Sequence, residues 1–134
     1  MPYNLSSGAC FSLQMHLVLV TKYRRTVITA EILQRLEEIF HATCLKWESR
    51  VVEFNGEPDH VHLLIDYNPK VQISKFVNNL KTVSSRLIRR DFESSLAQVY
   101  SKPVFWSGAY FVASCGGVTV EQLKKYVQQQ HNPE

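Results

Sequence analysis

Four residues stand out by type and spacing. His60 and His62 lie two apart within HVHLLID (60–66). Side chains two apart on a strand share a face, so a strand here points both imidazoles the same way. Two same-face imidazoles can ligate a divalent metal. On spacing alone, two solvated or locally hydrogen-bonded histidines are the plainer reading. Tyr126 and Gln130 are four apart in VEQLKKYVQQQ (120–130), which makes them neighbours on one face of a helix. A phenol, with a pKa of about 10, is a weak nucleophile at neutral pH and needs a base or a metal-polarised electrophile. A glutamine carbonyl one turn away is a hard oxygen donor suited to such a metal. Without that chemistry, Tyr126 reads as a packing residue flanking Val120, Leu123 and Val127. Glu57 and Asp59, just before the histidines, are further candidate oxygen ligands, although acidic residues beside a turn are usually only solvated.

Cationic residues form three groups: Lys22, Arg24 and Arg25; Lys81, Arg86, Arg89 and Arg90; and Lys124 and Lys125 beside Tyr126. Such runs are commonly solvated faces, but three in a short chain favour phosphate binding. Tyr23 and the pair Phe105-Trp106 lie among them and can stack on unpaired bases. For Phe105 and Trp106 a core or interface role is at least as good a reading. His16, in the first apolar run, reads as structural, and His41 as a surface residue.

The elements that must position these groups follow from hydrophobic period. LQMHLVLV (13–20) reads as a strand. Thr29 can cap a helix to about residue 49, with Leu33, Leu36, Phe40, Cys44 and Trp47 on its apolar face. Residues 50–66 read as a hairpin turning at Asn55-Gly56. Ile73, Phe76, Val77, Leu80, Val83, Leu87 and Ile88 trace a helix over about 71–91. Tyr110 to Ser114 is a fourth strand, Cys115-Gly116-Gly117 a break, and Thr119 with Gln122 a capping box for a last helix. The order predicts an α+β fold, a ferredoxin-like (RRM-like) β-α-β-β-α-β antiparallel sheet with an appended C-terminal helix bearing the tyrosine. Two helices are expected on one sheet face, leaving the histidine face open.

The chain has 134 residues, one domain's worth spanning 1–134, with 45% hydrophobic and 20% charged residues. That much apolar material excludes a disordered chain, and 5 Gly and 5 Pro exclude collagen-like composition. No apolar run is long enough to span a membrane. The start of the chain lacks a signal-peptide pattern. Three dispersed cysteines fit a reducing cytoplasm and show no CxxC zinc spacing. The net charge of +3 permits nucleic-acid binding without arguing for it.

The chain resembles the single-tyrosine HUH transposases of small insertion sequences (TnpA-type, IS200-like), named for a His-hydrophobic-His motif. The resemblance is carried by His60-Val61-His62 within EPDHVHLLI and by LVLVTKYRR (17–25). VNNLKTVSSRLIRR (77–90), FWSGAYFVASCGG (105–117) and VEQLKKYVQQQ (120–130) extend it in order. It implies Tyr126 as the catalytic nucleophile, with His60, His62 and Gln130 as ligands of a divalent metal, Mg²⁺ or Mn²⁺. It also implies single-stranded DNA with hairpins at transposon ends as substrate. Lys22, Arg24, Arg25, Lys81, Arg86, Arg89, Arg90 and Lys125 would contact that DNA. The expected product is a 5′-phosphotyrosine. A homodimer is implied, in which the tyrosine helix docks in cis or in trans. Three alternatives stay open: a non-catalytic RRM-like binding module, a small metal-dependent hydrolase, and a host-domesticated tyrosine transposase acting on repeated palindromes.

Overall fold

Strand β3 (Gln14–Thr21) sets the layering, because its alternate side chains Met15, Leu17 and Leu19 are buried together on one side. The computed structural model describes residues 13–114, the backbone of 4–6 and 9–11, and residue 128. Strands β1 (Asn4–Ser6) and β2 (Ala9–Phe11) pair antiparallel as a small separate sheet, which the sequence pattern does not announce. Helix α1 (Ala30–Lys46), strands β4 (Arg50–Glu57) and β5 (His60–Asp66), helix α2 (Ile73–Asp91), a short helix α3 (Glu93–Ala97) and strand β6 (Trp106–Ser114) follow. The main sheet has the order β4-β5-β3-β6 with every neighbouring pair antiparallel. This is the expected α+β, ferredoxin-like arrangement. The expected last helix, its glycine break and its tyrosine lie outside the described residues.

Thr29 caps α1 as expected, its hydroxyl accepting from the Ile32 N–H at 3.2 Å. Helix α1 buries Ile32, Leu36, Ile39, Phe40 and Cys44, and α2 buries Phe76, Val77, Leu80 and Ile88 against the same core. Ser84 is also fully buried in the α2 stripe, where its hydroxyl accepts from the Trp106 indole N–H at 2.9 Å and donates to the Leu80 carbonyl at 2.6 Å. Trp106 itself packs edge-on to Phe105, with ring centroids 4.6 Å apart.

Two expectations change. The turn at Asn55-Gly56 does not form: β4 runs through both residues to Glu57, and Pro58-Asp59 makes the turn. Proline presets the backbone for a turn. Gly56 is needed instead because Leu33 of α1 packs onto the strand there; a Cβ at Gly56 would collide with Leu33 Cδ1 and come within 3.2 Å of Val61 Cγ1. The second change is that β6 begins at Trp106 rather than Tyr110, which buries Phe105 and Trp106 and removes both as base-stacking platforms. In β4 the pairing with β5 shifts between Val51 and Glu53, so Val52 is an extra, bulged residue.

Among the described residues no helix is long and apolar enough to cross a membrane.

Candidate active site

The register of β5 decides which side its histidines take. Val61, Leu63 and Ile65 are fully buried toward the helices, so His60 and His62 project from the opposite face, half-buried. On that face His60 lies across from Glu57 of β4 and Val20 of β3, and His62 across from Asn55 and Val18. The face is not bare: His16 and Val18 are buried on its middle strand.

Each histidine is oriented by a partner. The Asp59 carboxylate meets His60 Nδ1 at 2.8 Å with one oxygen, and the other accepts from Arg24 Nε at 2.8 Å. With both oxygens used this way, Asp59 acts as an orienting group for His60. Burial alone would raise the Asp59 carboxyl pKa; the hydrogen bonds from His60 and Arg24, together with their charge, outweigh it and hold the group below the usual carboxylate range. A carboxylate on Nδ1–H fixes the ring's orientation and directs Nε2 away from it, the arrangement commonly found behind metal-bound histidines.

His62 Nε2 lies 3.0 Å from His16 Nδ1. The rings are nearly coplanar, at 17°, with centroids 5.2 Å apart, the geometry of an edge-on hydrogen bond. His16 reads as structural from sequence, but its diagonal position across the β3–β5 register makes it the orienting partner of His62. The signal was present only in the pairing register, which no local pattern reveals.

The basic residues separate into two sites. Thr21 N–H donates to the Asp59 carbonyl at 3.0 Å, and Lys22 N–H to the Phe105 carbonyl at 2.9 Å, which brings the Lys22–Arg25 turn to the histidine end of the sheet. Tyr23 and Arg24 in this turn have φ of 57° and 55°, a left-handed conformation that costs non-glycine residues roughly 1–2 kcal/mol each. The α2 cations lie across the sheet from the histidines. Lys81 donates to the Ser107 and Gly108 carbonyls at 2.8 and 3.1 Å and tethers α2 to β6. Arg89 Nε donates to Ser85 Oγ at 3.2 Å, and Arg86 and Arg90 are exposed. A groove of about 290 Å³ between α2 and the 103–106 segment is flanked by Lys81 and Arg89. Tyr126, Gln130, Lys124 and Lys125 lie outside the described residues. Among the described residues, no three His, Cys, Asp or Glu side chains converge as a metal-holding group.

Residues 9–130 match the family model described as "Transposase IS200 like". The ISDra2 transposase TnpA of Deinococcus radiodurans is 28% identical over 127 residues, covering 95% of this chain and 90% of its own. The transposase for insertion sequence element IS200 of Salmonella typhimurium is 30% identical over 116 residues, covering 86% and 74%. A crystal structure of a candidate transposase from Deinococcus radiodurans R1 superposes with a TM-score of 0.83 at 30% identity, over 96% of this chain and 98% of that one. A REP-associated tyrosine transposase bound to a REP hairpin shares the fold alone, with a TM-score of 0.58 and 10% identity over 87% and 61% of the two chains. The two oriented histidines therefore stand on the fold and within the sequence span of known transposases, and the chain belongs to the IS200-like transposase family.

Proposed function

We propose that this transposase binds hairpin-containing single-stranded transposon ends and cleaves and rejoins them through Tyr126. The observation that carries the reading is the pair of half-buried histidines on the face opposite the helices, each with one nitrogen held by a neighbour. That donor set fits a divalent ion such as Mg²⁺ or Mn²⁺, with His60 and His62 each offering an imidazole nitrogen and Gln130 an amide oxygen. Imidazole donors favour Mn²⁺ over Mg²⁺. When bound, the ion would act as a Lewis acid on the scissile phosphate.

The chain's own residues do the rest. The Tyr126 oxygen loses its proton and forms a bond to phosphorus while the bond from phosphorus to the 3′-oxygen breaks. The products are a 5′-phosphotyrosine and a 3′-hydroxyl, which takes up a proton. Attack by another 3′-hydroxyl reverses these steps and joins new ends without ATP. Lys22, Arg25 and the α2 cations Arg86, Arg89 and Arg90 would neutralise backbone phosphates of the bound DNA. A homodimer acting in the cytoplasm supplies the two tyrosines needed to exchange two ends.

Incubation with single-stranded end DNA and Mn²⁺ should give a covalent protein–DNA adduct that Tyr126→Phe abolishes. An adduct in that variant would refute the nucleophile. Equal cleavage of duplex ends, or cleavage in EDTA, would refute the substrate and the metal.

A further inference from the structure

We propose that the Lys22–Arg24 turn is a docking platform for one unpaired nucleobase, with the Tyr23 ring as its stacking surface. The inference rests on the reading of the chain as an enzyme of single-stranded DNA and adds where one base of that strand sits.

Tyr23 is 61% exposed, so its ring is not there to fill the core. Its backbone has φ of 57° and ψ of 18°, a conformation that glycine or asparagine adopts more cheaply than an aromatic residue. Neither burial nor conformation accounts for a tyrosine at this position. Strained backbone of this kind persists only where the surroundings over-determine it, and such sites cluster at ligand contacts.

The surroundings do over-determine it. Thr21 Oγ1 donates to the Arg25 carbonyl at 2.6 Å, closing the turn from one side to the other. Arg25 N–H reaches the Lys22 carbonyl at 3.3 Å, and Tyr100 Oη donates to the same carbonyl at 2.8 Å. Lys22 N–H and Thr21 N–H are tied to Phe105 and Asp59 as described above. All of these bonds lie on residues flanking Tyr23, so the backbone is clamped while the ring is held outward.

The neighbourhood suits a nucleotide. Lys22 Nζ lies over one face of the Tyr23 ring, 5.3 Å from its centroid, and Arg25, two residues on, is exposed. A base stacked on the ring would thus have cations within reach of its adjoining phosphates. Arg24, next to Tyr23, binds the Asp59 carboxylate that also holds His60. The platform and the histidine are therefore joined through one side chain, and the stacked base belongs to a nucleotide flanking the phosphate at His60. A base within a duplex has its faces covered by its neighbours, so the platform also selects for unpaired strand.

The test uses the full chain and two variants. Tyr23→Asn removes the ring but suits the left-handed backbone, and Tyr23→Trp keeps a stacking surface. Affinity is measured for a single-stranded end oligonucleotide and for the blunt hairpin alone. A series of the single strands carries 2-aminopurine at successive positions. Tyr23→Asn should weaken single-strand binding about tenfold, leave hairpin binding within about twofold, and abolish the fluorescence quenching seen at one position with the parent chain. Tyr23→Trp should retain both affinity and quenching. Single-strand affinity unchanged in Tyr23→Asn, or quenching that persists in it, overturns the platform. The adduct assay reports on the transposase reading separately. A chain that forms the adduct but is indifferent to Tyr23→Asn keeps its chemistry and loses the platform. A chain that quenches through Tyr23 but forms no adduct does the reverse.

Discussion

Asp59→Asn tests the orientation of His60 with little change in shape. In the parent chain one carboxylate oxygen takes His60 Nδ1 and the other takes Arg24 Nε, both at 2.8 Å. An amide has only one oxygen. The guanidinium, permanently charged and donor-only, takes that oxygen. The amide NH₂ then faces His60 Nδ1, which must become an acceptor. The ring proton moves to Nε2, the nitrogen proposed as the metal ligand, and ligation would require either breaking this new bond or flipping the ring. Loss of such an outer partner typically costs 10–100-fold in metal affinity, so Mn²⁺ binding by calorimetry should weaken by about that factor.

The fold should survive. The Arg24–Asp59 pair has side-chain exposures of 29% and 19%, and a partly solvated pair is worth about 1 kcal/mol or less. For a domain of this size that shifts Tm by no more than about 4 °C. The pH dependence has a definite sign. The Asp59 carboxyl titrates below its ordinary value in the folded chain, so its contribution is present above the ordinary carboxylate range. It is lost as the pH falls through the depressed folded value, and the Asn variant should lack that acid limb. Parent-like Mn²⁺ affinity in Asp59→Asn, with His60 nitrogen shifts still reporting the Nδ1–H tautomer, would refute the orienting role.

His16→Ala removes the edge-on partner of His62 and should weaken Mn²⁺ binding by a similar 10–100-fold, with unchanged affinity as the contrary result. Ser84→Ala leaves the buried Trp106 N–H without its acceptor, a loss of about 1–3 kcal/mol; the urea midpoint should fall by about 1 M. Gly56→Val forces a side chain against Leu33 and Val61 and should destabilise by about 1–3 kcal/mol, with Leu33→Ala relieving part of it in a double-mutant cycle. The Cys44 thiol, pushed up to about 12 by burial, is thiolate in only about one molecule in ten thousand at pH 8. In a Cys10→Ser/Cys115→Ser background it should react with a disulfide reagent only at the rate of unfolding.

What could be seen in the sequence follows the range of the interaction. The faces of His60 and His62 depend only on the two-residue period of one strand, and the structure keeps them. The Thr29 cap depends on residues three apart, and it too is kept. The Asn55-Gly56 turn failed because a strong local signal was overruled by α1: Gly56 is small for Leu33, a residue distant in sequence. Ser84 is a buried polar residue on the apolar side of α2, and only the arrival of Trp106 from β6 explains it. The orienting pairs, Asp59 with Arg24 and His16 with His62, join residues 35 and 46 positions apart. They depend on which strands pair and in what register, which a single sequence read locally does not contain. Tyr126 and Gln130 rest on helical spacing and family resemblance, and both lie outside the described residues.

The bulge at Val52 gives the β4–β5 hairpin an unequal tolerance to changes in length. An extra residue on β4 is already accommodated there, because bulging leaves the partner strand undisturbed. The β5 arm has no such freedom. One residue added or removed between Asp59 and His62 would exchange the two faces, sending imidazoles into the core and Val61 outward. Natural insertions and deletions in this hairpin should therefore fall on the β4 side or come in pairs on β5. Counting residues modulo two from the turn is enough to tell whether a diverged sequence retains the histidine face.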